Sequence, residues 1–200
     1  MRDDDRCELP VRRRVLTTAV ALGVSPWLPA AAQAHGSFGP VEPTVAAPVL
    51  ALQTTQGARV ELAALLRGHV TAVQLMFTGC SATCPIQGAL FAEAQQRLAR
   101  EDARLRLLSI SIDPLGDDLV AMRAWLAKFG ADAARWSAAL PRVQDVDRLL
   151  DTLRGRAIGV DRHTAQAFVF DRQARLVYRS EDMAAPAELV RLLQRLNARV

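Results

Sequence analysis

The chain has 200 residues, half of them apolar, and 25 basic against 21 acidic side chains give a formal net charge of +4. That composition suffices for a single domain with its own core and excludes an intrinsically disordered chain. It also excludes a nucleic-acid-binding charge excess, because the basic residues are arginines apart from Lys128 and are scattered among carboxylates, as on a solvated mixed-charge surface.

The N-terminus has the layout of a secretory signal peptide. Arg12, Arg13 and Arg14 precede an apolar run from Val15 to Leu28, and Ala32-Gln33-Ala34 supplies a small-residue cleavage site. The arginine pair ahead of Val15-Leu16 also fits twin-arginine export. An uncleaved membrane anchor is the alternative, but a spanning helix needs about 20 apolar residues and this run carries Gly23, Ser25 and Pro26. The expectation is therefore a cleaved leader over 1–34 and a periplasmic or otherwise extracytoplasmic protein, touching a membrane only through the leader if it stays uncut. The lost segment holds five arginines against three aspartates and one glutamate, so the net charge falls to +3.

Residues 35–48, rich in glycine and proline, read as an extended tether without a core of its own, and the folded domain is expected over 49–200. Val49–Leu52 and Val60–Leu62 bracket the turn signal Thr54-Thr55-Gln56-Gly57, which predicts a short N-terminal hairpin. Val70 to Phe77 is a nearly continuous apolar run of strand length, as in a central strand covered on both faces. After Pro85, which suits a first helical turn, Leu90, Phe91, Ala94 and Leu98 recur at helical spacing. A second buried strand is expected over Leu105 to Ile112, followed by a helix carrying Leu119, Met122, Leu126 and Phe129 on one face. This strand–helix–strand–helix order implies a parallel crossover. A short helical piece at Leu149–Leu153, strands at Ala167–Phe170 and Leu176–Tyr178, and an amphipathic helix over Pro186–Leu196 complete the chain. The pattern predicts an α/β fold, a thioredoxin-like central sheet flanked by helices, with a cysteine-bearing turn where the first long strand meets the first long helix.

With Cys7 inside the leader, the exported domain keeps Cys80 and Cys84. Two neighbouring cysteines cannot build a disulfide framework; in an oxidising compartment they pair with each other, hold a metal, or stay reduced for chemistry. Cys80-Ser-Ala-Thr-Cys84-Pro85 falls at a strand-to-helix turn, where the partial positive charge of the helix N-terminus favours thiolate. Thiolate serves disulfide exchange and metal binding alike. Three intervening residues lean toward a soft ion such as Cu(I) or zinc, while disulfide closure stays feasible. A closed structural zinc site needs four ligands, and the histidines on offer are His35 in the tether, His69 at the far end of the sheet and His163 ahead of the Ala167 strand. On composition alone, a histidine in a polar loop such as Asp161-Arg162-His163 is a surface residue. His35, exposed as a new N-terminus by cleavage, has the groups to chelate Cu(II), though a leftover of the cleavage site explains it equally. Met76 and Met183 read as packing and surface residues rather than thioether ligands. Paired catalytic carboxylates, phosphate-cradling glycine loops and Ser/His/Asp sets are not apparent.

The run Phe77-Thr78-Gly79-Cys80-Ser81-Ala82-Thr83-Cys84-Pro85, then Ser109-Ile110-Ser111-Ile112-Asp113-Pro114 with Asp117, then Asp161-Arg162-His163-Thr164 before Phe168-Val169-Phe170-Asp171, resembles the Sco/SenC family over about residues 48–196. The resemblance implies a copper-binding metallochaperone with a copper ion held by Cys80, Cys84 and His163. It further implies delivery of copper to, or thiol reduction of, the dinuclear copper site of a respiratory cytochrome oxidase, so the partner is that oxidase's copper subunit or another exported copper protein. The chain departs from the family where proline and aspartate commonly follow the first cysteine; here Ser81 and Ala82 stand. The competing expectation is a thiol-disulfide oxidoreductase that cycles Cys80 and Cys84 as its catalytic dithiol without an essential metal.

Overall fold

A computed structural model describes residues 37–98, 103–159 and 162–199. The expected leader, its expected cleavage site and His35 lie outside the described residues. Eight strands form one sheet in the order β1-β8-β7-β4-β5-β6-β2-β3. These are β1 (Gly39–Ala46), β2 (Ala51–Thr54), β3 (Arg59–Glu61), β4 (Val70–Met76), β5 (Leu105–Ser111), β6 (Trp136–Pro141), β7 (Ala167–Phe170) and β8 (Arg175–Arg179). The helices are α1 (Leu62–Leu66), α2 (Thr83–Arg97), α3 (Leu119–Lys128), α4 (Val146–Leu153) and α5 (Pro186–Ala198), with a 3-10 turn at Val143–Asp145.

The centre follows from the apolar runs. Every residue of β4 is buried, and β4 pairs in parallel with β5, which pairs in parallel with β6. The helices α2 and α3 make the two crossovers that parallel pairing requires. On its other side β4 pairs antiparallel with β7, Gln74 opposite Ala167, so the start of β7 lies beside the end of β4. Alternation along the strands divides the core. Ala72, Leu107, Trp136 and Val169 pack with Phe91, Met122, Trp125 and Leu193 of α2, α3 and α5 on one face. Val73, Leu108, Ile110 and Phe168 pack with Leu62, Leu66, Leu149 and Leu153 of α1 and α4 on the other. This central sheet with helices on both faces is the thioredoxin-like architecture the sequence predicts.

Four elements differ from the sequence reading. Residues 39–46, expected as tether, are extended but form β1 and pair antiparallel with β8, with a register shift between Pro40 and Val45. Prolines are compatible with this because β1 is an edge strand, where a missing N–H removes no ladder bond. The strand β6 and the short helix α1 have no counterpart in the sequence pattern, and α4 begins at Val146 rather than Leu149. The predicted hairpin is present as β2 and β3, and β2 continues the sheet by pairing with β6.

Candidate metal centre

The chain leaves β4 at Met76, turns through Phe77–Ala82 and enters α2 at Thr83. Ala82, the N-cap of α2, offers no side-chain hydrogen bond to the first turn. Cys80 takes over that role: its Sγ accepts the backbone N–H of Cys84 at 3.3 Å, satisfying one of the amides a helix leaves unpaired at its start. Pro85 follows within the first turn, where its missing N–H removes no intrahelical bond. The Cys80 amide in turn donates to the Phe77 carbonyl at 3.2 Å, closing the turn. Both cysteines are thiols and both are buried, Cys84 more deeply. The Cys80 sulfur therefore lies at the start of α2, within bonding distance of the first-turn backbone.

The imidazole arrives from the loop between α4 and β7. Arg154 takes a left-handed conformation at the end of α4, and the Gly155 amide caps the helix on the Leu150 carbonyl at 2.9 Å. Gly155 then passes so near the core that a Cβ there would stand 2.8 Å from Leu75 Cδ1. Two backbone bonds shape the loop beyond Gly155, Thr164 N–H to the Gly155 carbonyl at 2.8 Å and Ala157 N–H to the Arg162 carbonyl at 3.1 Å, so that Arg156 and His163 face each other as an isolated bridge. The Arg156 guanidinium fastens this bridge to α4 through Asp151 at 2.6 Å and Asp147 at 2.8 Å. Those hydrogen bonds raise the Arg156 pKa above its ordinary value and hold the Asp151 carboxyl below its own.

His163 is therefore a buried residue, 3% exposed, and not the surface histidine that its polar neighbours suggest. Its Nδ1 lies 2.9 Å from the Thr164 carbonyl, an acceptor, so Nδ1 is the donor there and Nε2 is the ring nitrogen turned toward Cys84. Nε2 stands 3.7 Å from Cys84 Sγ, and the Phe77 ring meets the imidazole edge-on with centroids 6.2 Å apart. This arrangement, a ring nitrogen fixed by a carbonyl behind it and aimed at a soft donor, is how a protein orients an imidazole ligand. Cys84 is the hub, reaching Cys80 through its amide and His163 through its sulfur. Among the described residues no three His, Cys, Asp or Glu side chains already stand at metal-holding spacing, so binding an ion at this trio requires the side chains to close in.

Two further groups hold the site together, and sequence reasoning assigned a role to neither. Asp117, 6% exposed, accepts the Thr78 N–H at 3.0 Å, the Thr78 hydroxyl, and the Ser111 hydroxyl at 2.6 Å, pinning the start of the cysteine turn to the end of β5. The visible signal was its place in the Asp113-Pro114-Leu115-Gly116-Asp117 stretch, where the Asp117 and Gly116 amides both return to the Asp113 carbonyl. Gln87, one turn beyond Cys84, donates to the Gln166 carbonyl at 3.1 Å and so ties α2 to the segment that carries His163. Of the other residues considered, Met76 is fully buried in the core, Met183 is half-buried ahead of α5, and His69 lies at the opposite end of β4.

Known proteins resemble this chain in sequence and in fold. The SCO1/SenC family model matches residues 47–198. A SCO1 protein homolog of Bacillus subtilis (strain 168) is 29% identical over 84 residues, which span 42% of this chain and 43% of that protein's length. Among solved structures, a SCO1/SenC family lipoprotein from Bacillus anthracis str. Ames superposes with a TM-score of 0.69 at 19% identity, covering 79% of this chain and 97% of its own. Bradyrhizobium japonicum ScoI, solved with copper bound, gives 0.63 at 20% identity over 76% of this chain and 99% of its own. BsSco, described as having a disulfide switch and as a member of the Sco family of cytochrome c oxidase assembly proteins, gives 0.67 at 16% over 78% and 96%. At such identities these superpositions establish the fold, and the family match over residues 47–198 establishes membership: the chain belongs to the SCO1/SenC family.

Proposed function

We propose that this protein is an exported copper metallochaperone that carries copper on Cys80, Cys84 and His163 and delivers it to, or reduces the cysteines of, the dinuclear copper site of a respiratory cytochrome oxidase. The observation that supports this best is the approach of His163 Nε2 to Cys84 Sγ, 3.7 Å, with Nδ1 committed to the Thr164 carbonyl. Two thiolates and one neutral imidazole form a soft donor set suited to copper. The copper-bound state of ScoI and the oxidase-assembly role of the BsSco family support the same reading. Ile86 in the first turn of α2, Leu115 beyond the end of β5 and Ile158 in the loop ahead of His163 are exposed, apolar side chains compatible with docking a protein that receives the metal. Extracytoplasmic location rests on the leader-like N-terminus and on the lipoprotein relative. Anaerobic Cu(I) titration against a competing chelator tests the reading. One copper per chain is expected, with binding lost or greatly weakened in Cys80→Ser and Cys84→Ser and weakened in His163→Ala. Affinity unchanged by His163→Ala removes the histidine from the site.

A thiol-disulfide oxidoreductase is the second reading, favoured by the amide of Cys84 on the Cys80 sulfur at a helix N-terminus. In that role the two thiols would pass two electrons and two protons to a partner disulfide and become a Cys80–Cys84 disulfide. Disulfide exchange that survives His163→Ala and needs no copper supports it, and failure of the two cysteines to pair under oxidant ends it.

A further inference from the structure

We infer that the end of the sheet remote from the cysteines carries a binding site for a small oxyanion, a carboxylate or phosphate group, seated between α1 and the first residues of β4, β5 and β6. A cleft of about 310 Å³ opens there, within the range of small-molecule sites. The register explains its chemistry. Thr71 of β4 pairs with Arg106 of β5, and the Leu107 N–H bonds the Arg135 carbonyl at 2.8 Å, so adjacent strands bring Thr71, Arg106 and Arg135 together in one row. His69, held at the α1–β4 turn by its amide on the Leu66 carbonyl at 3.2 Å, adds an imidazole to the same wall. Among the described residues that line the cleft there is no carboxylate, and Leu65 and Leu66 supply an apolar side.

A second observation is independent of this charge. Thr71 is 3% exposed, and its Oγ1 is buried without a hydrogen-bond partner. A buried hydroxyl left unsatisfied is costly, and one that lines a cationic cleft is satisfied by an anion's oxygen after a rotation about χ1. His69 fits the same picture. Its Nδ1 donates to the Arg67 carbonyl at 3.1 Å, leaving Nε2 as the nitrogen that titrates. Burial first, and then the Arg106 charge, push its pKa below the ordinary histidine value, against the raising effect of the Arg67 carbonyl. An anion placed among His69, Arg106 and Arg135 offsets the Arg106 charge and attracts a proton to His69, so binding tightens as pH falls.

The test is isothermal titration calorimetry of the full chain, in a buffer free of phosphate and carboxylate, with inorganic phosphate and with hexanoate as probes. The site predicts saturable binding of at least one probe, one per chain, and for hexanoate, whose charge is the same at both, tighter binding at about pH 6 than at about pH 8. Arg106→Gln is expected to weaken it by about tenfold, the loss of one charge-assisted hydrogen bond. Thr71→Val, which keeps the shape and removes the hydroxyl, weakens it further without destabilising the unliganded protein. Preference for hexanoate points to an organic ligand that uses the leucine wall, and preference for phosphate to an inorganic one. No saturable binding of either probe, or binding that Arg106→Gln and Thr71→Val both leave unchanged, overturns the inference. Because the cleft shares no residue with Cys80, Cys84 or His163, the result is independent of whether copper binds at the other end.

Discussion

Replacing Asp117 by alanine should unfasten the cysteine turn from the sheet, and the cost follows from its bonds. The carboxylate accepts from the Thr78 amide at 3.0 Å, from the Thr78 hydroxyl and from the Ser111 hydroxyl at 2.6 Å, all in a setting only 6% exposed. Hydrogen bonds to a charged acceptor contribute about 1.5–3 kcal/mol each, and a buried donor left unpaired costs about 1–3 kcal/mol. These terms overlap because one carboxylate serves all three donors, so Asp117→Ala is expected to cost about 3–5 kcal/mol. In a chain of this size that lowers Tm by roughly 6–20 °C. Asp117→Asn is the sharper probe, since its amide oxygen still accepts from Thr78 and its amide nitrogen donates to Ser111 Oγ. The charge assistance is lost and the Ser111 hydroxyl must donate elsewhere, at about 1–2 kcal/mol. Urea denaturation followed by tryptophan fluorescence measures both, and a chelator competition on the same samples reports the cysteine turn through Cu(I) affinity. The reasoning is refuted by Asp117→Ala within about 0.5 kcal/mol of wild type, or by Asp117→Asn as damaging as Asp117→Ala.

Gly88 of α2 sits under aromatic rings, and a Cβ there would lie 2.6 Å from Phe129 Cε2 and 3.0 Å from Trp125 Cζ2. Gly88→Ala should therefore destabilise by about 1–3 kcal/mol despite alanine's better helix propensity, and a stabilised variant in thermal melts contradicts that packing. The lowered pKa of His69 makes its protonation unfavourable in the folded state, so its contribution is complete above the ordinary histidine value of 6.5 and is lost as pH falls below it. Denaturant midpoints taken from about pH 8 to pH 5 should fall less in His69→Gln than in wild type, and parallel curves would exclude the effect. Arg156→Ala should free the bridge that presents His163 without unfolding the domain. Hydrogen exchange at the Ala157 and Thr164 amides is expected to quicken while the β4 amides stay protected; equal exchange at all of them would show that the guanidinium clamp does not hold the loop.

The central sheet was legible because its strands are extreme. Val70 to Met76 and Leu105 to Ser111 are apolar runs bounded by turn residues, and the intervening segment has helical spacing with Pro85 at its start. The elements that stayed hidden lacked such a signature. The strand β6 reads Trp-Ser-Ala-Ala-Leu-Pro, with small residues that carry neither β-branching nor alternation, and it becomes a strand because β5 and β2 offer ladders on both sides. The prolines of β1 mimic a tether, and only its edge position reconciles them with a strand. At the site, the cysteines announced themselves by spacing and by their place at a strand-to-helix turn. His163 did not, since its burial depends on the antiparallel return of β7 beside β4 and on bonds between Gly155, Arg156 and Thr164 that no local pattern encodes. Asp117 was visible as a residue but not as an anchor, because its partners Thr78 and Ser111 belong to two strands' ends far apart in sequence.

The most direct measurement is X-ray absorption at the copper edge of the Cu(I)-loaded protein, wild type beside His163→Ala. The account predicts two sulfur scatterers and one nitrogen in the wild type, with the nitrogen shell and its imidazole multiple scattering absent from the variant. Identical spectra from the two proteins would contradict it.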